Sequence, residues 1–298
     1  MRLNRREFSA FALAALARGD SKWGGVEIGL NVPYCFTFRG MPSSADDILT
    51  YVRRLGVASV EMRSQTVEAY LGAPNSLGIE PEDVAAGGTA LENWRLGASM
   101  ERFREFRKKY AEIAIPVVKF DGMERMKDAV IDYAFSVAKA LGARALACSV
   151  PVSAARRVGE FAARHKMMVG YHGTEDLHAA DAFATPESWE KAMSYSKYNG
   201  INLDIGHFVA ANNTSPIAFL KKYADRVTHV HLTDRKRNNG AFTVWGEGDA
   251  PIRETLALMK RERYPFPGII ECEYPLPEGS DGMREIAKCV EFCRRALV

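Results

Sequence analysis

Four short stretches of this 298-residue chain carry imidazoles and carboxylates where an apolar run ends. The first, Met167-Met168-Val169-Gly170-Tyr171, runs into His172-Gly173-Thr174-Glu175-Asp176. The second is Asn202-Leu203-Asp204-Ile205-Gly206-His207, the third Thr228-His229-Val230-His231-Leu232-Thr233-Asp234, and the fourth Ile269-Ile270-Glu271-Cys272-Glu273. Each run has strand length, and residues two apart along a strand share a face. Asp204 therefore sides with Asn202 against Leu203 and Ile205, and Glu271 sides with Glu273 against Ile270 and Cys272. His229, His231 and Thr233 face together, away from Val230 and Leu232. Converging, His172, Asp204, His231 and Glu271 make a borderline-hard donor set with no thiolate, suited to one divalent cation, Mn²⁺, Co²⁺, Zn²⁺ or Mg²⁺. Buried together without a cation, these groups would have to take up protons or cost several kcal/mol per unpaired charge.

The elements that must position them follow a rhythm. Apolar runs of strand length occur at 26–30, 58–62, 116–120, 144–150, 167–171, 201–205, 227–232 and 268–272. Stretches of helical period lie between them, at 45–55, 126–141, 154–165, 186–198, 216–223, 251–261 and 282–297. Leu55-Gly56 and Leu141-Gly142 are helix stops, because glycine accepts the left-handed conformation that ends a helix. Residues 73–110 are longer than one crossover needs, contain Gly87-Gly88, and predict an extra helix near 101–113. Eight strands alternating with helices over roughly 270 residues predict an α/β fold, a single (β/α)₈ TIM barrel. A doubly wound open sheet is the alternative, but it would carry a Gly-rich phosphate turn after its first strand, and none follows Leu30. Strand carboxyl ends form the active face of such a barrel, which is where all four stretches deliver their polar groups.

Composition narrows the function. Hydrophobic residues make up 47% and charged residues 26%, which is enough apolar surface for a substantial core. Forty Lys and Arg against 37 Asp and Glu leave a net charge of +3, too little to attract a phosphate backbone, so nucleic acid is not an expected partner. Cys35, Cys148, Cys272, Cys289 and Cys293 include no CxxC pair and are odd in number, so they read as buried small hydrophobes. No segment approaches the roughly eighteen apolar residues of a membrane span, and no stable membrane insertion is expected. Asn4-Arg5-Arg6-Glu7-Phe8, an apolar run to Ala17, and Ala15-Leu16-Ala17 together resemble a twin-arginine export signal within residues 1–25. A working signal implies a periplasmic protein; a degenerate one, an ordinary N-terminal helix and a cytoplasmic protein.

Other polar residues have bland readings beside functional ones. His165 and His178 read as surface residues, and His229, one layer deeper than His231, as a hydrogen-bonded partner. Glu273 is a solvated rim carboxylate or a substrate contact. Lys119 and Glu61 are pocket residues or an ion pair across the rim. Trp23, Trp94 and Trp245 wall a sugar or simply pack.

The run Leu203-Asp204-Ile205-Gly206-His207, then His229-Val230-His231-Leu232-Thr233-Asp234-Arg235-Lys236-Arg237, then Gly246-Glu247-Gly248 and Ile270-Glu271, resembles the xylose isomerase-like TIM-barrel superfamily of sugar phosphate isomerases and epimerases. The likeness covers residues 26–298. It implies that Asp204, His231 and Glu271 are metal ligands and that His207 and Arg237 hold substrate oxygens. In ketose-epimerase members the remaining ligand is a glutamate ending the fifth strand, which shares acid/base duty with the glutamate of the eighth. Here that position carries His172, a departure from the pattern. The chemistry implied is cation-assisted formation of an enediolate, with Glu271 as one base. Epimerisation needs proton donors on both faces of that planar intermediate, and the other face falls to Glu175, or to His172 if it is not metal-bound.

Three functions stay open. A metal-dependent isomerase or epimerase of a sugar or keto-sugar comes first. A lyase or dehydratase of keto-sugars, inososes or 3-keto-glycosides comes second, and a non-catalytic sugar-binding relative third. In each case the partner is a small carbohydrate, and nothing in the sequence marks the interface of a homo-oligomer. An endonuclease of the abasic-site type would need a trinuclear zinc cluster, which six histidines and near-neutral charge do not support.

Overall fold

The computed structural model describes residues 21–74 and 88–298. The twin-arginine motif, the proposed cleavage stretch and Gly87 lie outside the described residues. Among the described residues there are nine strands: β1 (Lys22–Trp23), β2 (Val26–Val32), β3 (Ser59–Arg63), β4 (Ala114–Lys119), β5 (Ala145–Cys148), β6 (Met168–His172), β7 (Asn199–Asp204), β8 (Val227–Leu232) and β9 (Gly268–Ile270). The eight from β2 to β9 pair in sequence order, all parallel, and β9 pairs back onto β2. That closure makes a single (β/α)₈ barrel and rules out the open sheet. At the seam, Ile28, Gly29 and Leu30 of β2 lie opposite Gly268, Ile269 and Ile270 of β9.

β1 forms an antiparallel hairpin with β2, and Ser21 before it donates its hydroxyl to Ile28 O at 2.6 Å. The folded body therefore begins before Val26, so residues 21–25, assigned with the signal on sequence grounds, belong to the barrel. Helices cover the predicted stretches, with Ala45–Leu55 and Gly282–Leu297 at the expected bounds. Ala45–Leu55 starts at a Ser44–Asp47 capping box and stops at Gly56, which takes φ 66°. The predicted single helix near 101–113 is instead two, Gly88–Gly97 and Met100–Lys109.

Strands buried on both faces explain the near-continuous apolar runs, since the lumen and the helix layer both exclude water. One polar cluster ties the helix layer together. Arg95 of Gly88–Gly97 forks onto both oxygens of Glu68 at 2.8 Å each, and Tyr133 donates to Glu68 at 3.0 Å. All five cysteines are free and buried. Among the described residues, no helix is long and apolar enough to cross a membrane.

Candidate metal centre and pocket

The carboxyl ends of β6, β7, β8 and β9 bring His172, Asp204, His231 and Glu271 together, with one ligand atom from each within 4.8 Å of the others. The proposed convergence therefore holds. Asp204 shows how the chain divides one side chain between two tasks. It caps the helix Ile205–Asn212, its Oδ1 accepting from His207 N at 2.7 Å and from Thr233 Oγ1 at 2.7 Å. Its Oδ2 is buried with no hydrogen-bond partner. Gly206 permits this corner, because a Cβ there would come within 2.3 Å of Thr233 Oγ1.

His172 Nε2 and His231 Nδ1 are likewise buried without hydrogen bonds. Such groups are rarely left unsatisfied. Three orphaned donor atoms facing one point, with Glu271 Oε2 at 3.0 Å from His231 Nδ1, are what a divalent cation would complete.

His231 is anchored from behind. Its Nε2 lies 2.5 Å from Glu61 Oε2, the same oxygen that His229 Nε2 approaches at 3.1 Å. Glu61 behind the ring would orient His231 as a ligand, in the manner of a carboxylate–histidine–metal triad. Burial works against the His231 imidazolium, but the flanking Glu271 and Glu61 carboxylates outweigh it and raise the pKa to about 10. Burial raises Glu271, and His231 with Lys119 pulls it down to about 2. Burial and the nearby Lys119 charge hold His172 well below the usual imidazole range, leaving its nitrogen free to ligate. Asn31 of β2 donates its amide to Glu271 Oε1 across the barrel seam.

On the rim side, Glu175 is fully engaged. Its Oε2 meets His207 Nδ1 at 2.7 Å and its Oε1 meets Arg235 Nη1 at 3.1 Å. The hydrogen bond from His207 holds the Glu175 carboxyl far below its ordinary range, with burial opposing. Burial lowers His207, but Asp204 and Glu175 outweigh it and raise it to about 9. A histidine raised on folding contributes stability that is fully present below its unfolded value of about 6.5 and is lost as pH rises through 9. The stability gap between wild type and His207→Asn, measured by urea unfolding, should therefore narrow between those two pH values. A constant gap across the window would show that His207 is not held charged.

Arg237 is not in the site. It is exposed, on a turn where Asn238 and Asn239 take positive φ, and its backbone N–H is held by Asp249 at 2.9 Å. Arg235 is the buried guanidinium beside Glu175 and His207, because the chain reverses after it to form the Arg235–Phe242 bridge. The Gly246-Glu247-Gly248 stretch has a structural reason. Gly246, Gly248 and Ala250 donate their N–H groups to the Asp234 carboxylate at 2.7, 3.1 and 3.2 Å, and a Cβ on Gly248 would lie 1.9 Å from it.

The other sequence candidates sort out as follows. Glu61 is a pocket residue, and His229 is its deep partner. Glu273 accepts from Tyr34 OH at 2.6 Å, its second oxygen is orphaned, and it forms a further donor group with Asp204 and His207. His178 is exposed; His165 stacks on Phe135 and meets Asp132 at 2.9 Å. Trp94 and Trp245 pack edge-on against Phe103 and Phe292. Trp23 ends β1 in the β1–β2 hairpin, paired with Val26 at the amino end of β2.

A family model described as xylose isomerase-like TIM barrel matches residues 49–295. Among curated relatives, the inosose dehydratase of Clostridium botulinum (strain Eklund 17B) is 30% identical, over 39% of this chain and 44% of its own. That of Bacillus thuringiensis (strain Al Hakam) is 27% identical, over 46% and 50%. The chain thus spans half or less of the length of the curated relatives it matches. A solved IolI protein with a bound zinc atom aligns over 91% of this chain and 99% of its own, at 12% identity and a TM-score of 0.63. The D-allulose 3-epimerase from Methylomonas sp. in complex with D-allulose aligns over 91% and 97%, at 15% identity and a TM-score of 0.58. These two share the fold.

Proposed function

The chain belongs to the xylose isomerase-like TIM-barrel family, and from that premise we propose that it is a divalent-metal-dependent lyase removing water from an inosose or a related keto-sugar. The observation that carries this reading is the double engagement of Glu175 by His207 and Arg235. A carboxylate held by two cations on its two oxygens is a poor proton shuttle. Sequence reasoning puts isomerisation or epimerisation first, with Glu175 or His172 serving the second face. With Glu175 tied and His172 in the donor set, Glu271 serves as the base, and elimination requires only one.

His172, Asp204, His231 and Glu271 would hold the cation, which supplies positive charge for the oxyanion that develops beside the ionising C–H bond. Glu271 takes that proton. His207 and Arg235, cross-linked by Glu175, present fixed donors to the substrate's outer hydroxyls. The dehydratase names of the sequence relatives support the same reading.

Epimerisation is the second reading, favoured by the unpartnered Oε2 of Glu273, another carboxyl beside Asp204 and His207. Elemental analysis of the purified protein, then NMR of the reconstituted enzyme with inososes and ketoses in D₂O, separates them. Formation of a product lighter by one water is the expected result. Interconversion of ketose epimers without water loss would replace the lyase by an epimerase. A metal-loaded protein inert on both panels would leave a sugar-binding relative.

A further inference from the structure

One buried cation is unused by the chemistry above. Lys119 is the last residue of β4, outside the run of strands β6 to β9 that carries the proposed metal ligands. Its side chain is only 3% exposed, yet among the described residues it makes no hydrogen bond or ion pair. Buried lysines are almost always paired.

The acid that would normally pair with it is taken. Asp121, two residues on, sits 3.5 Å from the Arg63 guanidinium and accepts the Ser149 N–H at 2.9 Å. Arg63 and Lys119 are Cα partners on β3 and β4. Glu61, which reaches into the lumen to His229 and His231, pairs with Val117, so Lys119 lies on that same inward face of β4. From there its charge reaches His172, two strands along the ring on β6, and Glu271, three strands the other way beyond β9, lowering both. A substrate seated in the lumen would meet both the cluster and a free ammonium.

We propose that Lys119 is a catalytic residue, donating a proton to the hydroxyl that leaves. This deepens the lyase reading and rests on it. The step balances: Glu271 takes the proton from the carbon beside the carbonyl, and a C=C bond forms. The C–O bond at the next carbon breaks, and the departing oxygen takes a proton from the Lys119 ammonium to leave as water. The resulting amine is returned to ammonium by the proton Glu271 received, carried through solvent. No oxidant or further reactant is needed. An ammonium suits the task because it carries three donors on a flexible stem and can give one up.

The test compares two rates on the metal-loaded full chain with an inosose in D₂O: deuterium incorporation beside the carbonyl, and release of water. In Lys119→Met, water release should fall by about 10²-fold or more, while deuterium incorporation stays within about threefold of wild type and metal content is unchanged. Lys119→Arg keeps charge and bulk but not the transferable proton, so it should lose water release in the same way. It serves if the methionine variant does not fold. Water release at the wild-type rate in the variant that folds overturns the assignment, and so does a parallel fall of both rates. If the wild type itself exchanges deuterium but never releases water, the lyase reading fails first and the role of Lys119 falls with it.

Discussion

Glu271→Gln should abolish solvent-deuterium exchange into substrate, with turnover falling by about 10³-fold or more. The change is nearly isosteric, so the amide of Asn31 and the ring of His231 keep a neighbour of the same shape. What disappears is the ionised oxygen, and with it the group proposed to accept the C–H proton. Metal content measured on the same sample separates loss of the base from loss of the cation. Full exchange in the variant would falsify the assignment of Glu271 as base, whatever its effect on metal.

The second large effect is at Glu61. It is fully buried, and one of its oxygens serves both His231 and His229. Removing one partner from a buried charged pair typically costs about 3–5 kcal/mol, because the survivor is left uncompensated. Glu61→Ala should lower the unfolding free energy of the metal-free protein by that order, read by urea denaturation. It also releases the His231 ring from behind, so metal affinity should drop by about 10- to 100-fold in a direct titration. Unchanged stability together with unchanged affinity would mean that the two histidines find other acceptors.

Much of this architecture is legible before any coordinates. All eight apolar runs become barrel strands, because a strand covered on both faces must be apolar on both. Alternation then suffices to put Asp204, His231 and Glu271 on the lumen side, since the period of two leaves no other choice once Leu203, Val230 and Ile270 are outward. It fails where the strand ends. Arg235 and Arg237 have the same parity as His231, and only the turn at Asn238 and Asn239 separates the one that stays from the one that leaves. The helix Ile205–Asn212 is hidden in the sequence for a related reason. Its cap is Asp204, a residue of the four-member donor cluster, and its first turn continues an apolar strand without a break. Pairings such as Glu61 with His231 or Arg63 with Asp121 depend on register between strands distant in sequence, so the sequence leaves Glu61 and Lys119 between pocket and rim.

The seam of the barrel has a consequence for when the centre comes into being. Glu271 follows the last strand to join the ring, and Asn31, on the first, reaches over the junction to hold it. A nascent or partly unravelled chain with its final strand undocked would have three of the four proposed ligands and no clasp for the fourth. If the proposed centre binds its cation, loading would be a late event that reports ring completion, and apo chains accumulating under stress would mark failure to shut the ring rather than scarcity of metal.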